Sequence, residues 1–448
     1  MKKCKIEGNL DNTTSKKIIE DYQQDSKNSL VRHAISRNAV GSVVFEPNAV
    51  SAVAPHFSVE IKTLPVTDQK RSGHCWIFAG LNILRETIAK KCNIKNFELS
   101  QNYIALYDKI EKSNFALETC IQLCNCSPNE RVFQFILNNP VSDGGQWDMF
   151  INLVKKYGVI PKEIFPETYQ SSNTRETVFL VNAAIRSFAS NACRLAKEGK
   201  NEEIRPLKDK VMKKIYMMFL NAFSVPPRTF DFEYTDEKDE FHIDANLTPI
   251  QFCEKYLGDE IYQYQSIINS PTEDKPFGKT FTIDYLGNVL EGKPIHHLNI
   301  KMNRIKELII KQLSNGDVVW FGSDVSFYLL RDYFAWDDNS FDYKSAFDID
   351  IEFEKGAMLD FRHSAMNHAM IITGVDLKNG KPTKWKIENS WGDEVGEKGY
   401  YVMSDSWFNK FVYQAVILKK NLSQKELAAS KQEPIHLYPW DPMGALAD

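Results

Sequence analysis

Three features of the sequence predict an α+β fold. Apolar residues recur at helical spacing through much of the first half, alternating residues and a tight turn mark a hairpin near residue 380, and no internal repeat intervenes. The helical pattern is clearest after Cys75, where Trp76, Ile77, Leu81, Leu84 and Ile88 fall at helical intervals. A helix is therefore expected to begin at or just before that cysteine. Residues 1–30 read as a polar, helical or mobile lead-in. Residues 175–222 give two more amphipathic helices, divided near Gly199-Lys200-Asn201 and ended by Pro226-Pro227. Phe230–His242 alternates like a strand. Asn303–Asn315 is expected to be helical, with Asn315-Gly316 stopping it before an apolar strand at Val318–Phe321. Residues 332–354, rich in aspartate and aromatics, read as a surface loop that lacks EF-hand ligand spacing. In the hairpin, His368–Val375 and Thr383–Trp391 are the strands, and Lys378-Asn379-Gly380-Lys381 is the turn. Pairing outward from Asn379-Gly380 sets His368 opposite Trp391, with Asn389 diagonally across on the same face.

Composition narrows the function classes. The chain has 448 residues, 43% hydrophobic and 25% charged, the balance of an ordinary globular protein with room for up to about three domains. With 55 basic and 59 acidic side chains the net charge is −4, which gives no support to a nucleic-acid partner. No apolar run reaches the roughly 18 residues of a membrane span. Charged residues are scattered through residues 1–30 and leave no room for a secretory apolar core, so the expected location is the cytoplasm. In that reducing setting the eight cysteines are expected as free thiols. The cluster Cys120, Cys124 and Cys126 fits zinc spacing poorly, and His296-His297 reads as loop or strand surface, so no metal or other cofactor is expected.

One group of residues carries chemistry. A thiol at a helix N-terminus faces unsatisfied backbone N–H groups, which favour thiolate, the nucleophilic form. Cys75 is so placed, and a carboxamide such as Gln69 can join those N–H groups in holding the oxyanion of a tetrahedral intermediate. His368 and Asn389, on one sheet face, supply a base and the group that orients it, and Trp391 can shield their hydrogen bond from water.

These segments resemble a known family. Gln69-Lys70-Arg71-Ser72-Gly73-His74-Cys75-Trp76 resembles the active-site segment of papain-like cysteine peptidases, whose signature is C-G-[SA]-C-[WY]. Gly73, Cys75 and Trp76 match it, whereas Ser72 and His74 depart, Ser72 standing where secreted relatives carry a disulfide cysteine. Met366-Asn367-His368-Ala369-Met370 and Glu388-Asn389-Ser390-Trp391-Gly392 resemble the family's His and Asn motifs. Longer strings, such as Pro65-Val66-Thr67-Asp68-Gln69-Lys70, Trp320-Phe321-Gly322-Ser323-Asp324-Val325 and Pro439-Trp440-Asp441-Pro442-Met443-Gly444-Ala445-Leu446-Ala447, are similar to the bleomycin hydrolase or aminopeptidase C branch. The Cys75–His368 interval, 368 − 75 = 293, exceeds the roughly 130–150 of simple papain-like enzymes, so a large insertion is expected.

The resemblance implies a papain-like two-lobed fold with a helical insertion and a C-terminal arm. Its parts would be an N-terminal segment packing on the core (1–60), a helical lobe with the nucleophile (61–165), a mainly helical insertion (166–260), a β lobe with His and Asn (261–432) and the arm (433–448). It makes Cys75 the nucleophile, His368 the base and acid, Asn389 the orienter and Gln69 an oxyanion donor. Gly144-Gly145 resembles the glycine pair against which substrate backbone pairs, the alternative being a plain turn after Asp143. The arm, which Pro434, Pro439 and Pro442 keep from forming a regular helix, would lie in the cleft and offer a carboxylate to a free substrate amine. Either Asp448 is the working end, or its removal leaves Ala447. The implied activity is a cytosolic aminopeptidase acting on peptides with a free N-terminus, assembled as a homohexamer. An endopeptidase, or a binding protein that keeps the fold, are the other readings.

Overall fold

The computed structural model describes residues 8–447. Contacts divide the chain into two compact units, one built from the residues up to Ser51 together with Asp338–Glu352, the other from Ala52–Asp337 and Phe353 onward. In the first unit, helices Asn12–Gln24 and Ser26–Ile35 start at Asp11 and Asp25, whose carboxylates accept from Thr14 and Lys27 N–H. Neither helix buries a residue. Phe45 bridges Phe341, and Asp342 N–H donates to the Val44 carbonyl at 2.8 Å.

The second unit joins a helical half to a large sheet. Helix Cys75–Cys92 is buried on nearly every face, which is why its apolar pattern runs all round. Asn93, in the left-handed conformation, ends it by donating its N–H to the Ala89 carbonyl. Gln101–Leu123 follows, capped by Ser100, and packs against Trp147–Tyr157 and against the pair Arg175–Lys197 and Ile204–Phe223. That pair is divided at Gly199 as its sequence predicts, and Gly199 supplies the positive φ that the break requires.

Among the described residues the sheet has twelve strands. Its middle runs Tyr264–Ile268, Val412–Leu418, Val319–Ser323, His368–Lys378, Lys381–Glu388, Tyr400–Ser404. Val319–Ser323 and His368–Lys378 are wholly or mostly buried, as befits central strands. No helix among the described residues is long and apolar enough to cross a membrane.

Three local expectations need correction. Phe230–His242 is not one strand but most of a hairpin, Phe230–Thr235 paired with Phe241–Leu247. The Asp236 carboxylate accepts from the N–H of Lys238 and Glu240 and closes the reversal, so turn chemistry overrides the alternation. Residues 332–354 are not only loop. Ala335–Trp336 is a buried strand, because Trp336 packs on Trp391, Tyr401 and Trp407. His297 is fully buried in a short inner strand and bonds Ser266 Oγ at 2.7 Å, so it is not a surface residue.

Candidate active site

The nucleophile helix begins at Cys75, and its preceding residue, His74, offers no side-chain cap. The first N–H groups of the helix are therefore not consumed by a capping side chain. Cys75 is buried, and its Sγ accepts from the Ala369 N–H at 3.4 Å, next to His368 on the central strand. Burial pushes this thiol up to about 11, opposed by the N–H groups of Ala369, Trp76 and Cys75 itself. The helix terminus alone was expected to favour thiolate; for a single charge, the loss of water outweighs it.

His368 Nε2 lies 2.8 Å from Asn389 Oδ1. This contact assigns the ring proton to Nε2 and leaves the Nδ1 lone pair free, since a carboxamide oxygen only accepts. Trp391 stacks on the His368 ring, with centroids 5.1 Å apart and planes at 25°. Trp336 and Tyr401 in turn pack against Trp391. Burial lowers the imidazole to about 4, with the Asn389 bond acting the other way.

Gln69 is held at both ends of its carboxamide. Its Nε2 donates to the Ser72 carbonyl at 2.8 Å, and its Oε1 accepts from Ser390 Oγ at 2.6 Å. The second amide hydrogen remains for an incoming oxygen. Ser72 closes the loop from the other side through Oγ to the Gln69 carbonyl at 2.7 Å.

A buried polar lock ties the two halves behind these groups. Glu388 Oε1 accepts from Arg85 Nη2 and Asn82 Nδ2, both at 3.0 Å, and Oε2 accepts from Thr63 Oγ1 at 2.6 Å. Arg85 and Asn82 lie on the Cys75 helix, whereas Glu388 directly precedes Asn389. Burial raises the Glu388 carboxyl even against the Arg85 charge.

The cleft wall is the turn before Trp147. Lys109 Nζ meets Asp143 at 2.5 Å and the Ser142 carbonyl at 2.6 Å, while Lys112 donates to the Gly144 carbonyl and pairs with Asp108 at 2.9 Å. Burial works against the Asp143 charge, but Lys109 and His74 hold its carboxyl well below the usual range. Lys112, stripped of water, is lowered to about 8. Gly145 N–H donates to the Leu446 carbonyl at 3.1 Å, and Ser142 Oγ donates to the Ala447 carbonyl. A Cβ on Gly144 would strike the Leu446 carbonyl oxygen, and one on Gly145 would strike the Trp76 ring. Gly144 is thus needed for close backbone approach and Gly145 for the Trp76 ring, and the segment seated on them is the chain's own arm. A cavity of about 190 Å³, lined among others by Phe115, Met149, Leu286 and Ala447, adjoins this end. Asp448 lies outside the described residues.

Three further histidines have partners of their own. His74 is buried, with Nε2 3.6 Å from Asp143 Oδ1. His363 stacks between Phe327 and Phe353, and His436 pairs with Asp284 at 2.6 Å. Among the described residues, Asp236, Glu240 and His242 bring ligand atoms within 4.8 Å of one another, at the hairpin turn that Asp236 closes. The seven described cysteines are free thiols. Ser390, Glu388, Arg85, Lys109 and Lys112 were not singled out from sequence. Strand parity, which turns Ser390 away from Asn389, was the available signal for the first of them.

The chain is similar along its whole length to known proteins. Residues 9–444 match the Peptidase C1-like family. Aminopeptidase C of Lactobacillus delbrueckii subsp. lactis is 44% identical over 445 residues, covering 97% of this chain and 99% of the relative. Aminopeptidase C of Listeria innocua is 38% identical over 426 residues, covering 95% and 96%. The crystal structure of PepW from Lactobacillus rhamnosis superposes with a TM-score of 0.95 at 42% identity, covering 97% of this chain and 99% of that one. With its α+β fold and full-length similarity to these proteins, the chain belongs to the Peptidase C1-like family, in its bleomycin hydrolase/aminopeptidase C branch.

Proposed function

We propose that the protein is a cysteine aminopeptidase, which removes N-terminal residues from peptides and related amides. The carrying observation is the seating of Leu446 on the Gly145 N–H, where the arm occupies the backbone-pairing wall of the cleft that holds Cys75. A substrate then has room only for what lies between the arm and the nucleophile. A carboxylate on the end of the arm, at Ala447 or Asp448, would pair with the free amine, and an N-blocked substrate would leave it unpaired.

The chemistry runs as acyl transfer. Sγ of Cys75 attacks the scissile carbonyl carbon as its proton moves to His368 Nδ1, while Asn389 holds the Nε2–H. In this buried site either charge alone is disfavoured, with the thiol at about 11 and the imidazole at about 4, whereas the transfer creates both charges together. The Cys75 N–H and the free Gln69 amide hydrogen receive the oxyanion. The C–N bond breaks, the leaving amine takes the proton from His368, and a thioester remains. His368 then removes a proton from water, whose oxygen attacks the thioester and frees the acid and the thiol. Trp391 covers the His368–Asn389 pair throughout. A cytoplasmic address and a homohexamer belong to the same reading, and the exposed Ile18, Ile19 and Leu30 offer apolar surface for a contact between subunits.

Cys75→Ser tests the nucleophile. It should abolish hydrolysis of an amino-acyl arylamide and alkylator labelling of the peptide that carries residue 75, with an unchanged circular dichroism spectrum. Unchanged turnover would remove Cys75 from the mechanism. Deleting residues 445–448 tests the arm: cleavage of N-blocked peptides should rise and exopeptidase activity should fall. The endopeptidase reading predicts no change in either.

A further inference from the structure

The arm has a base as well as a tip. Asp441 Oδ2 lies 2.9 Å from Lys275 Nζ, and both side chains are withdrawn from solvent, with 10% and 4% exposed. The other Asp441 oxygen accepts from the Met443 N–H at 2.9 Å, and its carbonyl accepts from the Gly444 N–H at 2.9 Å. One residue therefore both pairs with the body of the protein and starts the tight turn Pro442–Ala447. Lys275 is itself held, because Asn299 Nδ2 donates to its carbonyl at 2.6 Å. Just upstream, the Trp440 ring lies 3.8 Å from the Arg131 guanidinium, and Arg362 donates to the Trp440 carbonyl at 2.7 Å. Beyond the base, Met443 and Leu446 are buried apolar plugs that lead to the Gly145 contact.

We propose that Lys275 is a positioning residue: its ion pair with Asp441 sets how deeply the arm reaches into the cleft, and so how many residues fit beyond the nucleophile. This rests on the aminopeptidase reading above. A short coiled segment transmits the position of its base to its tip, since it has little slack. The apolar plugs resist withdrawal without direction, and the Gly145 and Ser142 hydrogen bonds fix the tip once it is seated, so the restraint on the base is the ion pair. The ion pair is directional and lies in a poorly solvated site. Lys275 Nζ also meets the exposed Asp274 at 2.8 Å, so losing Lys275 strands the Asp441 charge, whereas losing Asp441 turns Lys275 wholly to Asp274 and releases the base of the arm.

Three variants, Lys275→Met, Asp441→Asn and the charge swap Lys275→Asp with Asp441→Lys, are compared with the parent and with the chain shortened to residue 444. The readouts are kcat/KM for an amino-acyl arylamide, kcat/KM for an N-acetylated peptide, and the length of fragments released from a free peptide. The single variants should raise the N-blocked to free ratio by roughly tenfold and release fragments longer than one residue, and the swap should return both part of the way toward the parent, because Asp274 adjoins the new carboxylate. Asp441→Asn keeps the shape of the side chain, so it decides the matter if Lys275→Met does not fold. An unchanged ratio in Asp441→Asn, with a shifted ratio in the shortened chain, would overturn the anchor while leaving the aminopeptidase reading intact. No shift in the shortened chain would overturn both.

Discussion

Asn389 Oδ1 receives the Nε2 proton of His368 at 2.8 Å beneath a roof formed by Trp391, whose ring lies 5.1 Å from the imidazole. The orienting bond is thus shielded, and the ring is fixed by one hydrogen bond and one stacked face. Asn389→Ala should remove the bond and keep the stack. We expect kcat to fall about 100-fold with a smaller change in KM, the typical size of a mispositioned acid–base group. Steady-state kinetics on an arylamide read this directly, and an unchanged kcat would show that stacking alone orients the ring.

Ser390 should matter through Gln69. Without its hydroxyl, the Gln69 carboxamide loses the contact that fixes which end faces Ser72. Gln69→Ala is expected to lower kcat by roughly 10²–10³, as for loss of one oxyanion donor. Ser390→Ala should give a smaller loss, and no further loss when added to Gln69→Ala. Independent, multiplying losses in this double-mutant cycle would separate the two residues.

Glu388→Gln should destabilise the fold. It leaves the buried Arg85 guanidinium with only the longer Glu86 contact at 3.7 Å as counter-charge, at a cost of up to about 3 kcal/mol. Denaturant titration of the variant, and of Glu388→Gln combined with Arg85→Met, checks this. The second change should restore part of the loss, since the under-paired guanidinium is gone and the Glu86 that it also met is partly exposed.

Stability should rise with pH through the mildly acid range. Burial lowers the His297 imidazole to about 3 from 6.5, so below 6.5 the unfolded chain takes up a proton that the folded one refuses. Its contribution is constant above 6.5 and is lost as the pH falls toward 3, at about 1.4 kcal/mol per pH unit. His297→Asn keeps a partner for Ser266 but does not titrate. Between pH 7 and 4 the parent should lose about 3 kcal/mol more than the variant. Equal losses would mean that His297 does not resist protonation.

The start of the nucleophile helix was legible in the sequence because helical periodicity is local, and the observed helix does begin at Cys75. At the far end of the His368 hairpin the pairing stops at Ile371 and Glu388, and Trp391 bridges Asp68 instead, although its ring still stacks on His368. The hairpin's turn was legible for the same reason as the helix: Lys378 pairs with Lys381. Its middle was not. Val375 pairs with Trp385 rather than Lys384, because irregularities at Ile372/Gly374 and Asp376/Leu377 shift the register and then restore it. Val59–Glu60 pairs there from a distant part of the chain, with the Val59 carbonyl pressed against Gly374. Buried charges were hidden too, since Glu388, Lys109 and Lys112 look in sequence like any solvated charge.

The sequence by itself determined which reactive groups exist and which local elements carry them: a cysteine at a helix head, a histidine and an asparagine on the two arms of one hairpin, and an arm broken by prolines. Tertiary structure decided their protonation, their second partners and the seating of the arm. The physical reason is that helix and turn formation depend on neighbours a few residues apart, whereas desolvation and ion pairing depend on what is brought close from far along the chain. Glu388 meeting Arg85 and Leu446 meeting Gly145 are contacts of that second kind.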